Sequence, residues 1–176
     1  MSIKKDAQTA HANLLEKTDP EALERINHFA FDEVQADVDL PDRTKMLSTL
    51  AYLLGMQGVD EYKVMLPVAL DNGVSPVEAK EVLYQAVDYL GLGRVFPFFN
   101  ATNDVLRARG VEMPLPSQSI TTMDNRFEKG EETQIRLFGP QMKDFAKKGT
   151  INKWLVDNCF GDYYTRTGLD RLPCLI

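Results

Sequence analysis

Apolar side chains recur at intervals of three and four along most of the chain, and period-two alternation is nearly absent, so the pattern predicts an all-α protein. Asp19 and Pro20 read as the N-cap and first residue of a helix whose apolar stripe is Leu23, Ile26, Phe29 or Ala30, and Val34. Asp39-Leu40-Pro41-Asp42 separates it from a second helix over 43–55. There Met46, Leu47, Leu50, Ala51, Leu53 and Leu54 cover most of the circumference, which predicts burial on nearly all sides. A third helix, from about Val59 to Leu70, ends at Asn72-Gly73. Pro67 removes a backbone donor and crowds the carbonyl of Lys63, so a kink or restart is expected there.

Ser75-Pro76-Val77-Glu78 supplies an N-cap, a proline at the first helical position and a capping-box glutamate. The helix it opens carries Ala79, Val82, Leu83, Ala86, Val87 and Leu90 and stops at Gly91-Leu92-Gly93. Another follows from about Val95 to Arg109. Residues 111–123 hold two prolines and no periodicity, a linker pattern, and helical segments resume near Asp124–Phe138, Pro140–Lys147 and Ile151–Tyr164. A shift of 129 positions lays Phe160 on Phe31, Asp162 on Glu33, Tyr163 on Val34 and Leu169 on Leu40, a faint second copy of the first unit. The expected organisation is a helical unit over 20–110, a linker over 111–123 and a partial second unit over 124–176.

Composition changes this picture little. The 176 residues are 44% hydrophobic and 26% charged, as in an ordinary globular protein. A net charge of −6 with no basic run argues against binding to nucleic acid or to anionic membranes. The first residues lack the apolar core of a leader, and Met46–Met56 falls well short of the roughly 20 residues of a membrane span, so a cytoplasmic location is expected. Cys159 and Cys174 stand too far apart for a redox Cys-x-x-Cys and read as ordinary thiols. His11 and His28 flank no second ligand, so neither a metal nor a cofactor is expected, and His28, beside the apolar stripe of its helix, reads as a core or interface histidine. Met46, Met56 and Met65 read as packing residues. Gly91-Leu92-Gly93 follows a helix and lacks a lysine, so it is no phosphate loop.

Four segments together carry a resemblance. They are Leu40-Pro41-Asp42-Arg43, Gly58-Val59-Asp60-Glu61-Tyr62, the run from Asn72-Gly73-Val74-Ser75-Pro76 to Leu83, and Tyr89-Leu90-Gly91. In this order and spacing they resemble the carboxymuconolactone decarboxylase family, which includes the alkylhydroperoxidase D-like proteins. Phe160-Gly161-Asp162-Tyr163-Tyr164 resembles the start of a further family unit. The resemblance implies an oligomeric multi-helix bundle with pockets between helices or subunits. It also implies, for the peroxidase branch, a Cys-x-x-Cys, a histidine four residues on and an upstream glutamate, which align here with Gly58, Glu61, Met65 and Met46. None of these is a thiol, so thiol peroxidase activity of the peroxiredoxin type is the least favoured reading. The decarboxylase branch implies a glutamate and a histidine four apart on one helix face. Glu61 keeps the first and Met65 stands in place of the second.

Glu61 is therefore the candidate acid or base, the alternative being a solvated carboxylate favoured by a helix N-terminus. Arg43, Gln57 and Met65 are the candidate substrate contacts. Arg43 suits a bidentate grip on a substrate carboxylate, or an ion pair near Asp39 or Asp42. Two functions stay open: a cofactor-free small-molecule lyase working through Glu61, and a non-catalytic binding or structural protein with its pocket filled by Met65. In either case Ile151, Trp154, Leu155 and Phe160 would leave a large apolar face open in the partial second unit. A homo-oligomer, dimeric or larger, is expected to cover it.

Overall fold

The computed structural model describes residues 2–169. Among them the secondary structure is entirely helical. Helix α1 spans Ile3–Leu15; its N-cap Ser2 accepts from the Lys5 amide. Helix α2 spans Pro20–Asn27, widens into a π-helical stretch over His28–Val34 and closes with an α turn over Gln35–Asp37. Helices α3 (Asp42–Gly55), α4 (Val59–Asp71), α5 (Pro76–Leu90) and α6 (Leu92–Ala108) follow. Extended chain leads to α7 (Arg126–Phe138), two short 3₁₀ turns, and α8 (Thr150–Trp154), which continues as a second π-helical stretch over Leu155–Tyr163. No helix is long and apolar enough to cross a membrane among the described residues.

The core lies where α1, α3, α4, α5 and α6 meet, around Leu50, Leu54, Leu66, Leu83, Val95 and Phe98. Tyr62 on α4 ties two of these helices together. Its ring meets that of Phe98 edge-on at 5.1 Å, and its hydroxyl lies 3.1 Å from Thr102 Oγ1 on α6. Burial pushes the phenol up to about 12. The capping box at α5 forms as the sequence predicts: Ser75 and Glu78 each hold the other's backbone amide.

Several expectations are corrected. α4 runs unbroken from Val59 to Asp71 through Pro67, because one missing donor is tolerable in a helix whose neighbours Leu66, Val68 and Ala69 are all buried. α3 buries only one side: Met46, Leu47, Leu50 and Leu54 face the core, while Ser48, Ala51 and Tyr52 are exposed. The stripe on α2 is half-open, with Phe29 62% and Ile26 45% exposed. His28 lies on the surface beside Glu33, at 2.9 Å, and not in the core. α1 is a helix the pattern does not announce.

α7 and α8 form an antiparallel hairpin that packs on α5 of the same chain. Gly130 and Gly161 let the two backbones touch: a Cβ on Gly130 would stand 2.0 Å from the Val156 carbonyl oxygen, and one on Gly161 2.3 Å from that of Arg126. The Arg126 guanidinium bonds Asp162 across the hairpin at 2.6 Å. Arg166, just beyond α8, grips the fully buried Glu81 of α5 with two hydrogen bonds of 2.8 and 2.7 Å and lies 4.0 Å above the Tyr84 ring. Gln85 of α5 donates to the Tyr163 carbonyl at 2.8 Å. Phe160 is covered against Phe138, whereas Ile151, Trp154 and Leu155 stay exposed. Laid onto the first unit by the shift of 129, the π stretch 155–163 falls on 26–34. It thus ends on the same residue as the π stretch of α2. Cys174 lies outside the described residues.

Candidate functional site

Between α1, α2, α3 and the start of α4 lies a largely apolar cavity of about 570 Å³. The π-helical stretch of α2 supplies Phe29, Ala30, Phe31 and Val34 to its wall. α3 contributes Met46, Thr49, Tyr52 and Leu53, together with one cation, Lys45. α1 contributes Ile3 and His11, and α4 contributes Glu61 and Met65.

Glu61 sits in the first turn of α4, after the N-cap Gly58, where the helix dipole favours a carboxylate. Its Oε1 lies 2.6 Å from His11 Nε2. The His11 side chain is 9% exposed and that of Glu61 43%, so the histidine is held inside and the carboxylate stands at the rim. An ionised Glu61 can only accept, so Nε2 carries the proton in this contact. His11 Nδ1 is then a bare lone pair, and it is buried with no hydrogen-bond partner. A histidine and a carboxylate in hydrogen-bond contact are the side-chain types that acid–base catalysis uses.

The histidine that sequence reasoning finds missing at Met65 thus has a counterpart in space from a helix fifty residues upstream. Met65 is buried beside it and narrows the cavity. Arg43 and Gln57 lie elsewhere. Arg43 bonds Glu78 through Nε at 2.6 Å and also through Nη2. Burial pushes the Glu78 carboxyl up, but the hydrogen bonds from Ser75 and the charge of Arg43 outweigh it and hold the group below its ordinary range. Gln57 adopts φ 61 in the turn between α3 and α4, where its side chain donates to the Leu54 carbonyl at 2.7 Å. The structure brings together Glu61 and Met65 of the four site residues and adds His11 and Lys45. The signal for His11 was the i, i+4 series Ile3, Ala7, His11, all buried on one face of α1. Among the described residues no three His, Cys, Asp or Glu side chains cluster as a metal site.

Cys159 does not line this cavity and lies against Asp88 of α5. Burial, then the charge and hydrogen bond of Asp88, push the thiol up to about 12. Burial raises the Asp88 carboxyl to about 6, a shift that the Cys159 hydrogen bond moderates and the charge of Asp162 adds to.

Comparison with known proteins covers the middle of the chain. The family model of the carboxymuconolactone decarboxylase family matches residues 20–104. The 4-carboxymuconolactone decarboxylase of Acinetobacter baylyi is 31% identical over 86 residues, which cover 49% of this chain and 64% of that protein. The match thus spans less than two thirds of that relative. No solved structure matches the chain. The matched segment holds α2 to α5 and Glu61, while α1 and its His11 precede it, and through residues 20–104 the chain is similar to the carboxymuconolactone decarboxylase family.

Proposed function

We propose that the protein is a cofactor-free lyase that removes a carboxyl group from a small, mostly apolar molecule such as a carboxylated lactone. The observation that carries this reading is the 2.6 Å contact of Glu61 with His11 in the wall of the apolar cavity. In such a reaction the bond from carbon to carboxylate breaks and CO₂ departs. The electron pair left behind moves into a conjugated carbonyl, and one proton is then delivered to carbon. The couple of Glu61 and His11 is the source of that proton, which water replaces at the Glu61 rim. The apolar walls favour loss of a charged carboxylate, since a buried anion is destabilised more than neutral CO₂. Lys45 is the cation on the wall that would meet the substrate's other anionic end. Arg43 acts through its ion pair with Glu78, fixing the start of α3 against α5.

The test is decarboxylation of 4-carboxymuconolactone, followed by loss of lactone absorbance and release of CO₂. Glu61→Gln and His11→Asn are each expected to lower kcat/KM by about 100-fold or more, the usual worth of a positioned acid or base. Two variants as fast as the parent would refute the role of the couple. A parent without turnover that still binds the lactone would favour the second reading, a non-catalytic binding protein, which Met65 in place of the family histidine supports. The same proposal includes a homo-oligomer. Its support is the apolar face of Ile151, Trp154 and Leu155, exposed at 69, 62 and 40%. A monodisperse 19.9 kDa species in light scattering would overturn it.

A further inference from the structure

A second cavity, of about 470 Å³, opens between α5, α6 and the proline-containing extended segment around Met113–Gln118. Its walls carry three cations, Lys80, Arg107 and Arg166, and one carboxylate, Glu81. That carboxylate is already occupied by both arms of the Arg166 guanidinium. Lys80 and Arg107 remain. Lys80 is half-buried, its ammonium bonded to the Asn103 amide oxygen and lying 5.4 Å above the Phe99 ring, neither of which carries a charge. Arg107 meets Asp104 one turn away at 3.0 Å, but both side chains are more than 60% exposed, and such a pair screens little. Burial, then the positive charge of Arg107, hold the Lys80 ammonium below its ordinary range.

Lys80 and Arg107 thus line one concave space whose one lining carboxylate, Glu81, is already taken by Arg166. An anion between them would complete it. Met113, Pro114 and Leu115 give the opposite wall an apolar character, so the space suits an anionic head with a small hydrocarbon body. We infer that the cavity between α5, α6 and the 113–118 segment is a second binding site, separate from that of Glu61, for a small organic anion bearing a carboxylate or phosphate gripped by Lys80 and Arg107. Asn103 and Gln118 are the neutral hydrogen-bonding groups beside it. Arg166 is bound to Glu81 and shapes the floor.

Isothermal titration at low ionic strength tests this, with benzoate, phenyl phosphate and inorganic phosphate as probes on the full chain. Saturable binding of one equivalent beyond any taken up at the Glu61 cavity is expected for benzoate or phenyl phosphate, and this component should be weakened about tenfold by Lys80→Gln and by Arg107→Gln and persist in Glu61→Gln. Preference between the two aromatic probes distinguishes a carboxylate site from a phosphate site. Inorganic phosphate should bind more weakly than phenyl phosphate, because it lacks the body that the Met113–Leu115 wall would cover. Circular dichroism of the two cation variants checks that they fold. The inference is overturned if no probe saturates at millimolar concentration, if the charge-removing variants bind as the parent does, or if Glu61→Gln alone abolishes binding.

Discussion

Replacing Gly130 with alanine puts one methyl group where the α7 and α8 backbones touch. The new Cβ would stand 2.0 Å from the Val156 carbonyl oxygen, 2.9 Å from its carbon and 3.0 Å from the Gly161 nitrogen. A carbon and a carbonyl oxygen rest about 3.3 Å apart, so the helices must separate by roughly 1 Å. Backbone cannot swing away as a side chain tip can, and a gap of that size forfeits a quarter to a half of the dispersion energy along the seam. It also strains the Arg126 to Asp162 contact and the Thr121 hydroxyl that donates to the Gly161 carbonyl at 2.9 Å. Overpacking of this kind costs about 3 kcal/mol at the upper end of its usual range, and alanine returns about 1 kcal/mol in helix propensity. The expected net loss is about 2 kcal/mol. Urea unfolding followed by the fluorescence of Trp154 reads it directly, because the only tryptophan of the chain lies on α8. Gly55→Ala serves as the control: nothing lies within 4 Å of its Cβ, and its stability should equal or exceed the parent's. A Gly130→Ala protein as stable as the Gly55→Ala protein would refute the close approach.

Three further outcomes are expected. Asp88, whose folded carboxyl titrates near 6 and above the unfolded value, stabilises the protein fully below about pH 4 and loses that contribution as pH rises through 6. Asp88→Asn should therefore raise stability at pH 8 by on the order of 1 kcal/mol, discounted for partial exposure, and leave a flatter pH profile; an unchanged profile would contradict the assignment. Arg166→Met strands the Glu81 carboxylate in the interior and should cost about 3–5 kcal/mol, most of it restored in the double variant with Glu81→Gln; a double variant no better than the single one would show that the buried charge is not the cause. Cys159, with its thiol pushed to about 12, holds almost no thiolate at neutral pH, so hydrogen peroxide consumption should be absent in the parent and unaltered by Cys159→Ser. Peroxide turnover lost in that variant would reinstate the peroxidase reading.

The features legible in the sequence are those fixed within one turn of helix. Ser75 and Glu78 define a helix start through bonds three residues apart, and the structure reproduces it. The boundaries near Asp42, Gly58 and Gly91 follow from the same local chemistry. The buried face of α1 escaped because Ile3 is its only large apolar member, with Ala7 and His11 completing it. Such a face has almost no hydrophobic period. The Glu61 to His11 contact escaped for a different reason: it joins residues fifty positions apart, and nothing in the spacing of either helix specifies the partner. Burial around α2 and α3 was over-read for a third, since an apolar stripe records what a helix is able to cover and not whether a neighbour is there. Tyr52, Phe29 and Ile26 are open in this chain.

The two π-helical stretches also bear on the history of the chain. A π turn arises in a helix when one residue is inserted without lengthening the axis, and such turns are rare. Here α2 and α8 each carry one, and the shift that aligns Phe160 with Phe31 brings their final residues, Tyr163 and Val34, into register. Two independent insertions at the same place are a less economical origin than one insertion followed by copying. A single insertion followed by copying would place the widened turn before the duplication, with one stretch now in the wall of the cavity and the other in the hairpin packed on α5.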